Sequence, residues 1–182
     1  MNIFSVVEQR ARERPHGAAL IGAEQTISFA ELVELARRAA GALRQRGLGE
    51  SDMVGVMLGN TSVHLLVLLA LARLGAVAVS LSPTTSPESL DAFCTGFKPK
   101  LILGLAPDRE LQGSTYLQVG TWIEQPCDAA ERGLPHASGG DRLLKIALSS
   151  GTTGTQKAVG WSHQRMLDLL ELQRSLRPFG PG

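Results

Sequence analysis

Hydrophobic residues along this chain alternate between a helical spacing and short unbroken runs. From Ile3 to Arg14, Phe4, Val7 and Ala11 recur at helical intervals, and Pro15 bars continuation. Ala18 to Ile21 and Gln25 to Ile27 read as two short strands turning at Gly22. Ser28-Phe29-Ala30-Glu31 is a capping box, in which Ser28 can bond the N–H at Glu31 and Glu31 the N–H at Ser28. The helix it starts runs to about Arg46 and turns Leu32, Leu35, Ala36, Ala39 and Leu43 to one face, until Gly47 and Gly49 end it.

Met53 to Met57 is a short apolar strand, and a helix from about Ser62 to Leu74 leads through Gly75 to the strand Ala76 to Val79. Ser86, with Pro87 at the first helical position, starts a helix that reaches about Cys94, followed by the strand Lys100 to Leu103. The pattern is weakest from Gly104 to Asp141, where one strand is expected at Tyr116 to Val119 and Ala137-Ser138-Gly139-Gly140 is a flexible connection. Leu143 to Leu148 is the next strand and Val159 to Trp161 its return. Ser162 caps a last helix with Met166, Leu169, Leu170 and Leu176 as apolar positions. Unbroken apolar strands alternating with amphipathic helices predict an α/β fold, a mainly parallel sheet flanked by helices on both faces.

Composition narrows the function classes. The 182 residues are 43% hydrophobic and 19% charged, the balance of a globular domain with a core. A net charge of +1 and only 4% aromatic residues argue against a nucleic-acid surface. The two cysteines, Cys94 and Cys127, lie far apart without a Cys-x-x-Cys, so no disulfide framework or zinc site is expected, and a cytoplasmic location fits. The start of the chain lacks a basic segment followed by an apolar one, so it does not read as a signal peptide. The most apolar stretch, Val63 to Val79, is broken by His64 and Arg73, far short of the ~20 residues that span a bilayer.

One segment carries chemistry. Ser149-Ser150-Gly151-Thr152-Thr153-Gly154-Thr155-Gln156-Lys157 gathers hydroxyls, glycines and a lysine directly after an apolar strand. Glycines let a backbone turn sharply and bring its N–H groups close to a ligand. Such N–H groups form a concave anion site that hydroxyls extend and a lysine neutralises, and the natural guest is a polyphosphate. By composition alone, a plain polar loop between strands is the competing reading. Spacing excludes a Walker A loop, because Gly151 and Gly154 are too close and Ala158 follows the lysine. There is no Gly-x-Gly-x-x-Gly fingerprint and no Gly-x-Ser-x-Gly elbow. His16, His64 and His136 show no metal-ligand spacing, and Glu31 and Glu34 fit capping and a solvated helix face.

With Ala158-Val159-Gly160-Trp161-Ser162-His163 after it, this segment resembles the phosphate-binding signature of adenylate-forming enzymes, the superfamily of acyl- and aryl-CoA synthetases, peptide-synthetase adenylation domains and luciferases. Ser149, Ser150, Gly151, Thr152, Thr153, Gly154, Lys157, Val159 and His163 match its pattern. Gln156 stands where proline is usual and Ala158 where glycine is usual, which loosens or strains the loop without removing a phosphate ligand. Thr26 to Leu32, Gly47 to Val54, Gly59-Asn60 and Ala70 to Pro83 resemble upstream structural segments of the same family.

The resemblance implies a reaction in which a carboxylate attacks the α-phosphate of MgATP, giving an acyl-adenylate and pyrophosphate, after which a thiol, usually coenzyme A, takes the acyl group. Ser149, Ser150, Gly151, Thr152, Thr153, Gly154 and Lys157 would hold the β- and γ-phosphates, with the Ser149 hydroxyl within reach of Mg²⁺, and His163 would be structural. The family's adenine-binding segment, magnesium glutamate, ribose aspartate and catalytic lysine come later than this stretch. Residues 1–182 are therefore expected to be the N-terminal part of an AMP-binding domain, folded but inactive alone, prone to self-association through surface that the rest would cover. The Gly-Thr-Thr-Gly form leans towards CoA ligases. An adenylation domain feeding a carrier protein and a non-catalytic phosphate-binding module are the alternatives.

Overall fold

The computed structural model of this protein describes residues 1–22, 26–59, 61–106, 109–111, 113–120, 139–149 and 157–176. Its first helix, α1 (Ile3–Glu13), starts where the Asn2 side chain accepts the Phe4 N–H at 2.8 Å. Strands β1 (Ala18–Ile21) and β2 (Thr26–Ser28) form a separate antiparallel pair. The expected capping box then opens α2 (Phe29–Gln45): Glu31 Oε2 accepts the Ser28 N–H at 2.8 Å and Ser28 Oγ accepts the Glu31 N–H at 3.3 Å.

The main sheet is built from β3 (Met53–Val56), β4 (Val77–Ser80), β5 (Leu101–Gly104), β6 (Arg109–Leu111), β7 (Ser114–Gln118), β8 (Leu143–Ser149) and β9 (Lys157–Ser162). Its order is β6-β7-β5-β3-β4-β8-β9, with the inner strands β7, β5, β3, β4 and β8 parallel and both edge strands antiparallel to their neighbours. The connecting helices are α3 (Ser62–Leu74), between β3 and β4, and α4 (Pro87–Phe97), between β4 and β5. The last helix is α5 (His163–Leu176). Gly75 ends α3 in the left-handed region at φ 74°, which a residue with a Cβ enters only with strain.

Side-chain alternation along the strands splits the core in two. Val54, Val56, Ala78, Leu101, Leu103 and Leu117 join α1, α2 and α3 in the larger cluster. Val77, Val79, Ile102, Tyr116 and Ile146 join Leu90, Phe93 and Cys94 of α4 in the smaller one. Helices thus cover both faces, as the pattern predicts. On α2 the burial is wider than the expected stripe: Val33, Ala40, Gly41 and Ala42 are buried too, because the helix packs against α1 on one side and α3 on the other.

Three further expectations are revised. Helix α4 continues past Cys94 to Phe97, where the Phe97 ring stacks on Phe93 at 5.2 Å and supports the last turn despite Gly96. Strand β7 lies at Ser114–Gln118 rather than Tyr116 to Val119, and β6 pairs with it. The Arg-Glu-Leu sequence of β6 offers no apolar alternation, so only its pairing reveals it. On α5, Met166 packs on the core, but Leu170 and Leu176 stay 46% and 73% exposed. Among the described residues no helix is long and apolar enough to cross a membrane.

Candidate functional site

The carboxyl ends of β3, β4, β5, β7 and β8 point to one edge of the sheet, because these strands are parallel. The chain leaves β3 for α3 on one face and leaves β4 for α4 on the other. In open α/β sheets ligands bind outside the carboxyl edge, where successive connections part in this way. The signature segment begins at the same edge. Ser149 is the last residue of β8 and pairs directly with Lys157, the first residue of β9. Directly paired residues of an antiparallel ladder have Cα atoms about 4.5–5.5 Å apart. The exposed lysine is thereby returned beside the first serine of its own motif.

Ser150, Gly151, Thr152, Thr153 and Gly154, the other expected phosphate ligands, lie outside the described residues, as does Gln156. Ala158 is described, and it lies within β9 opposite Leu148. It is not among the described residues with positive φ, so alanine in place of the usual glycine brings no backbone strain there.

Sequence reasoning missed the neighbouring turn. Strand β4 runs parallel beside β8, with Ser80 opposite Ala147, so the turn after β4 leaves the sheet next to the signature. There Thr84 N–H donates to Ser82 Oγ at 3.2 Å, Thr85 Oγ1 donates to the Ser82 carbonyl at 2.7 Å, and Ser86 Oγ caps α4 by accepting the Ser89 N–H at 3.3 Å. The Ser-Pro-Thr-Thr-Ser-Pro composition of 82–87 was the available signal, but a hydroxyl-rich turn has no distinctive spacing.

His163 is 1% exposed, and its Nδ1 accepts the Ile3 N–H at 3.2 Å. Burial, reinforced by the positive amino terminus, lowers its pKa to about 4, so the ring is neutral near pH 7. It is an internal fastening, in line with the structural role expected of it. Burial pushes the Cys94 thiol up, away from nucleophilic reactivity. Among the described residues no three His, Cys, Asp or Glu side chains cluster as metal ligands. An open groove of about 730 Å³ lies between the β1–β2 pair, α2 and α3, lined by apolar residues such as Leu20, Ile27, Leu35 and Leu66 with Glu34 and Arg38, and none of the described signature residues lines it.

The family model described as AMP-binding enzyme matches residues 7–180. The chain belongs to this family. Curated relatives include Tyrocidine synthase 3 of Brevibacillus parabrevis, 28% identical over 98% of this chain, and the nonribosomal peptide synthetase anaPS of Neosartorya fischeri, 28% identical over 89%. The chain spans only 3% and 7% of the lengths of these two relatives. Among solved structures, the chain resembles the Klebsiella oxytoca NpsA N-terminal subdomain in complex with 3-hydroxybenzoyl-AMSN, with TM-score 0.79 and 21% identity over 90% of this chain and 41% of that one. It also resembles o-succinylbenzoate CoA synthetase (MenE) from Bacillus subtilis in complex with the acyl-adenylate intermediate OSB-AMP, with TM-score 0.85 and 20% identity over 99% of this chain and 47% of that one. These structural likenesses establish the fold, one shared with the NpsA N-terminal subdomain and with part of MenE.

Proposed function

We propose that this chain is the polyphosphate-holding part of an AMP-forming ligase that joins a carboxylic acid to MgATP, giving an acyl-adenylate and pyrophosphate. The observation that carries the reading is the placement of the signature, whose first serine and lysine are paired at the carboxyl edge of the parallel sheet. Ser149, Ser150, Gly151, Thr152, Thr153, Gly154 and Lys157 are the proposed ligands of the β- and γ-phosphates. The substrate carboxylate attacks the α-phosphorus, the bond to the bridging oxygen breaks, and negative charge grows on the departing pyrophosphate. Prealigned N–H and hydroxyl donors with one cation stabilise that charge in the transition state. Magnesium is read as arriving with ATP as part of the substrate.

Two acceptors for the acyl group remain in play, each favoured by a specific observation. Peptide-synthetase relatives at 28% identity favour the thiol of a carrier protein. The Thr152-Thr153 form of the motif and the likeness to a CoA synthetase favour coenzyme A. Thioester formation by the complete enzyme, with coenzyme A against a carrier protein bearing its free thiol, distinguishes them.

Calorimetric titration of MgATP into the chain and its Lys157→Ala and Thr153→Ala variants tests the phosphate site. A charge-assisted hydrogen bond contributes about 1.5–3 kcal/mol, so Lys157→Ala should weaken binding about tenfold to a hundredfold. Thr153→Ala should weaken it less. A folded chain, by circular dichroism, that binds MgATP equally well with and without Lys157 would overturn this reading.

A further inference from the structure

Strand β9 carries the signature lysine at one end, yet little in the strand specifies its alignment. It is an edge strand, with β8 as its one neighbour among the described strands. Its residues from Lys157 to Gly160 are exposed, and two of them, Ala158 and Gly160, are nearly devoid of side chain. Register is strongly set where one face of a strand is buried, and weakly set in glycine-rich strands open on both sides. A slip of one residue would turn every side chain of β9 to the opposite face, Lys157 included. The β8–β9 ladder is also irregular between Leu143 and Lys145, so the pairing there is not self-evident.

The end of β9 remote from the signature is fastened by a buried polar junction. Asn2, Arg73 and His163 are 3%, 4% and 1% exposed, and each ties residues 2–4 at the start of α1 to α3 or α5. Asn2 Nδ2 donates to the Ala72 carbonyl at 2.8 Å, and the Arg73 guanidinium lies over the Phe4 ring at 5.2 Å. His163 Nδ1 accepts the Ile3 N–H at 3.2 Å. In turn, the His163 N–H donates to the Arg142 carbonyl at 3.1 Å and the Gln164 N–H to the Gly140 carbonyl at 2.8 Å, tying the residue after β9 to the residues before β8. Gly160 adds a steric key, since a Cβ there would lie 2.9 Å from Leu143 Cδ2.

We propose that His163 is a positioning residue for Lys157: by joining the amino-terminal segment to the β9–α5 junction, it sets the β8–β9 register and so the place of the lysine. The hairpin is held at its open end by the start of the chain, and the paired residues from Ser162 back to Lys157 carry that alignment to the signature. The Nδ1 atom accepts only in the neutral ring, with the proton on Nε2. That Lys157 then serves polyphosphate rests on the function proposed above, whereas the register itself does not.

Amide hydrogen exchange, read residue by residue on the whole chain, tests both parts. Ile3→Pro removes the N–H that His163 accepts, together with part of the packing of Ile3 on the core, and places proline at the first position of α1, where it is well tolerated by the backbone. Ile3→Val keeps the N–H and serves as the control. Ile3→Pro and His163→Ala should each raise exchange at least tenfold along β9 as far as Lys157, with α2 and α3 protected as in the wild type. His163→Asn, which offers Oδ1 where Nδ1 stands, should recover most of the protection. Unchanged exchange along β9, or an equal loss throughout α2, α3 and β9, would overturn the proposal. Titration with inorganic tripolyphosphate adds the second readout, with affinity falling several-fold in Ile3→Pro but not in Ile3→Val. A wild-type chain that does not bind tripolyphosphate would count against the phosphate reading, and the exchange pattern would still decide the positioning role.

Discussion

Along α2 and α3, Ala36, Ala39, Leu43, Val67, Ala70 and Leu71 have no exposed surface, whereas on β9 Val159 keeps 49% of its surface. The first region is held by apolar burial in which many side chains share the work. The second carries the signature lysine on a short edge strand paired with β8 and largely open to solvent. The difference teaches that affinity for the fold and capacity for chemistry are stored apart. The helical face fixes the sheet, and the sheet presents a lightly buried hairpin at the edge where ligands bind.

Substitutions at matched positions sharpen this contrast. Leu71→Ala opens a cavity at a fully covered site and should cost about 2–5 kcal/mol. Val159→Ala on β9 should fall within about 0.5 kcal/mol of the wild type. Urea unfolding of the two variants measures both, and comparable losses would erase the distinction between the regions.

Acid should next attack the junction that fastens the hairpin. The folded pKa of His163 lies near 4, below the ordinary 6.5, so the unfolded chain binds its proton first as pH falls. This contribution is fully present above pH 6.5 and is lost through the window from 6.5 down to about 4, at roughly 1.4 kcal/mol per pH unit. Wild type minus His163→Asn, compared by urea unfolding at pH 7 and pH 5, isolates it from the carboxylates. A difference that does not change with pH would show that the imidazole is not shielded as its burial implies.

A more modest loss than at Leu71 is expected at the capping box of the helical region. Ser28→Ala removes the hydroxyl that accepts the Glu31 N–H and should cost about 1 kcal/mol in a thermal or urea melt. The MgATP affinity of the Lys157 site should stay unchanged, because the capping box lies on a different element from the signature. A coupled loss of affinity would show that the two regions are not separable.

Much of this was legible from residue types. The Ser28–Glu31 capping box, the Ser62 to Leu74 helix and the Ser86-Pro87 start each rest on local hydrogen bonding or steric rules that the chain carries with it. The strand before the signature was equally plain as an apolar run, while its return, read as Val159 to Trp161, extends to Lys157 and Ser162 through its pairing with β8. The three-residue β6 was not legible, since its Arg-Glu-Leu gains a ladder only from β7. Leu170 and Leu176 looked like core positions and are exposed, because periodicity marks a face without saying whether anything covers it.

The candidate site divides in the same way. The sequence by itself determined the family and the identity of the signature residues, because the order of glycines, hydroxyls and lysine is a local property. Only the tertiary structure decided that Lys157 stands opposite Ser149, that the β4 turn leaves the sheet beside them, and that His163 grips Ile3 across 160 positions of sequence. The last two are pairings between distant segments and the first is a choice of register, and their energy arises from burial and hydrogen bonds that exist only once the sheet has assembled.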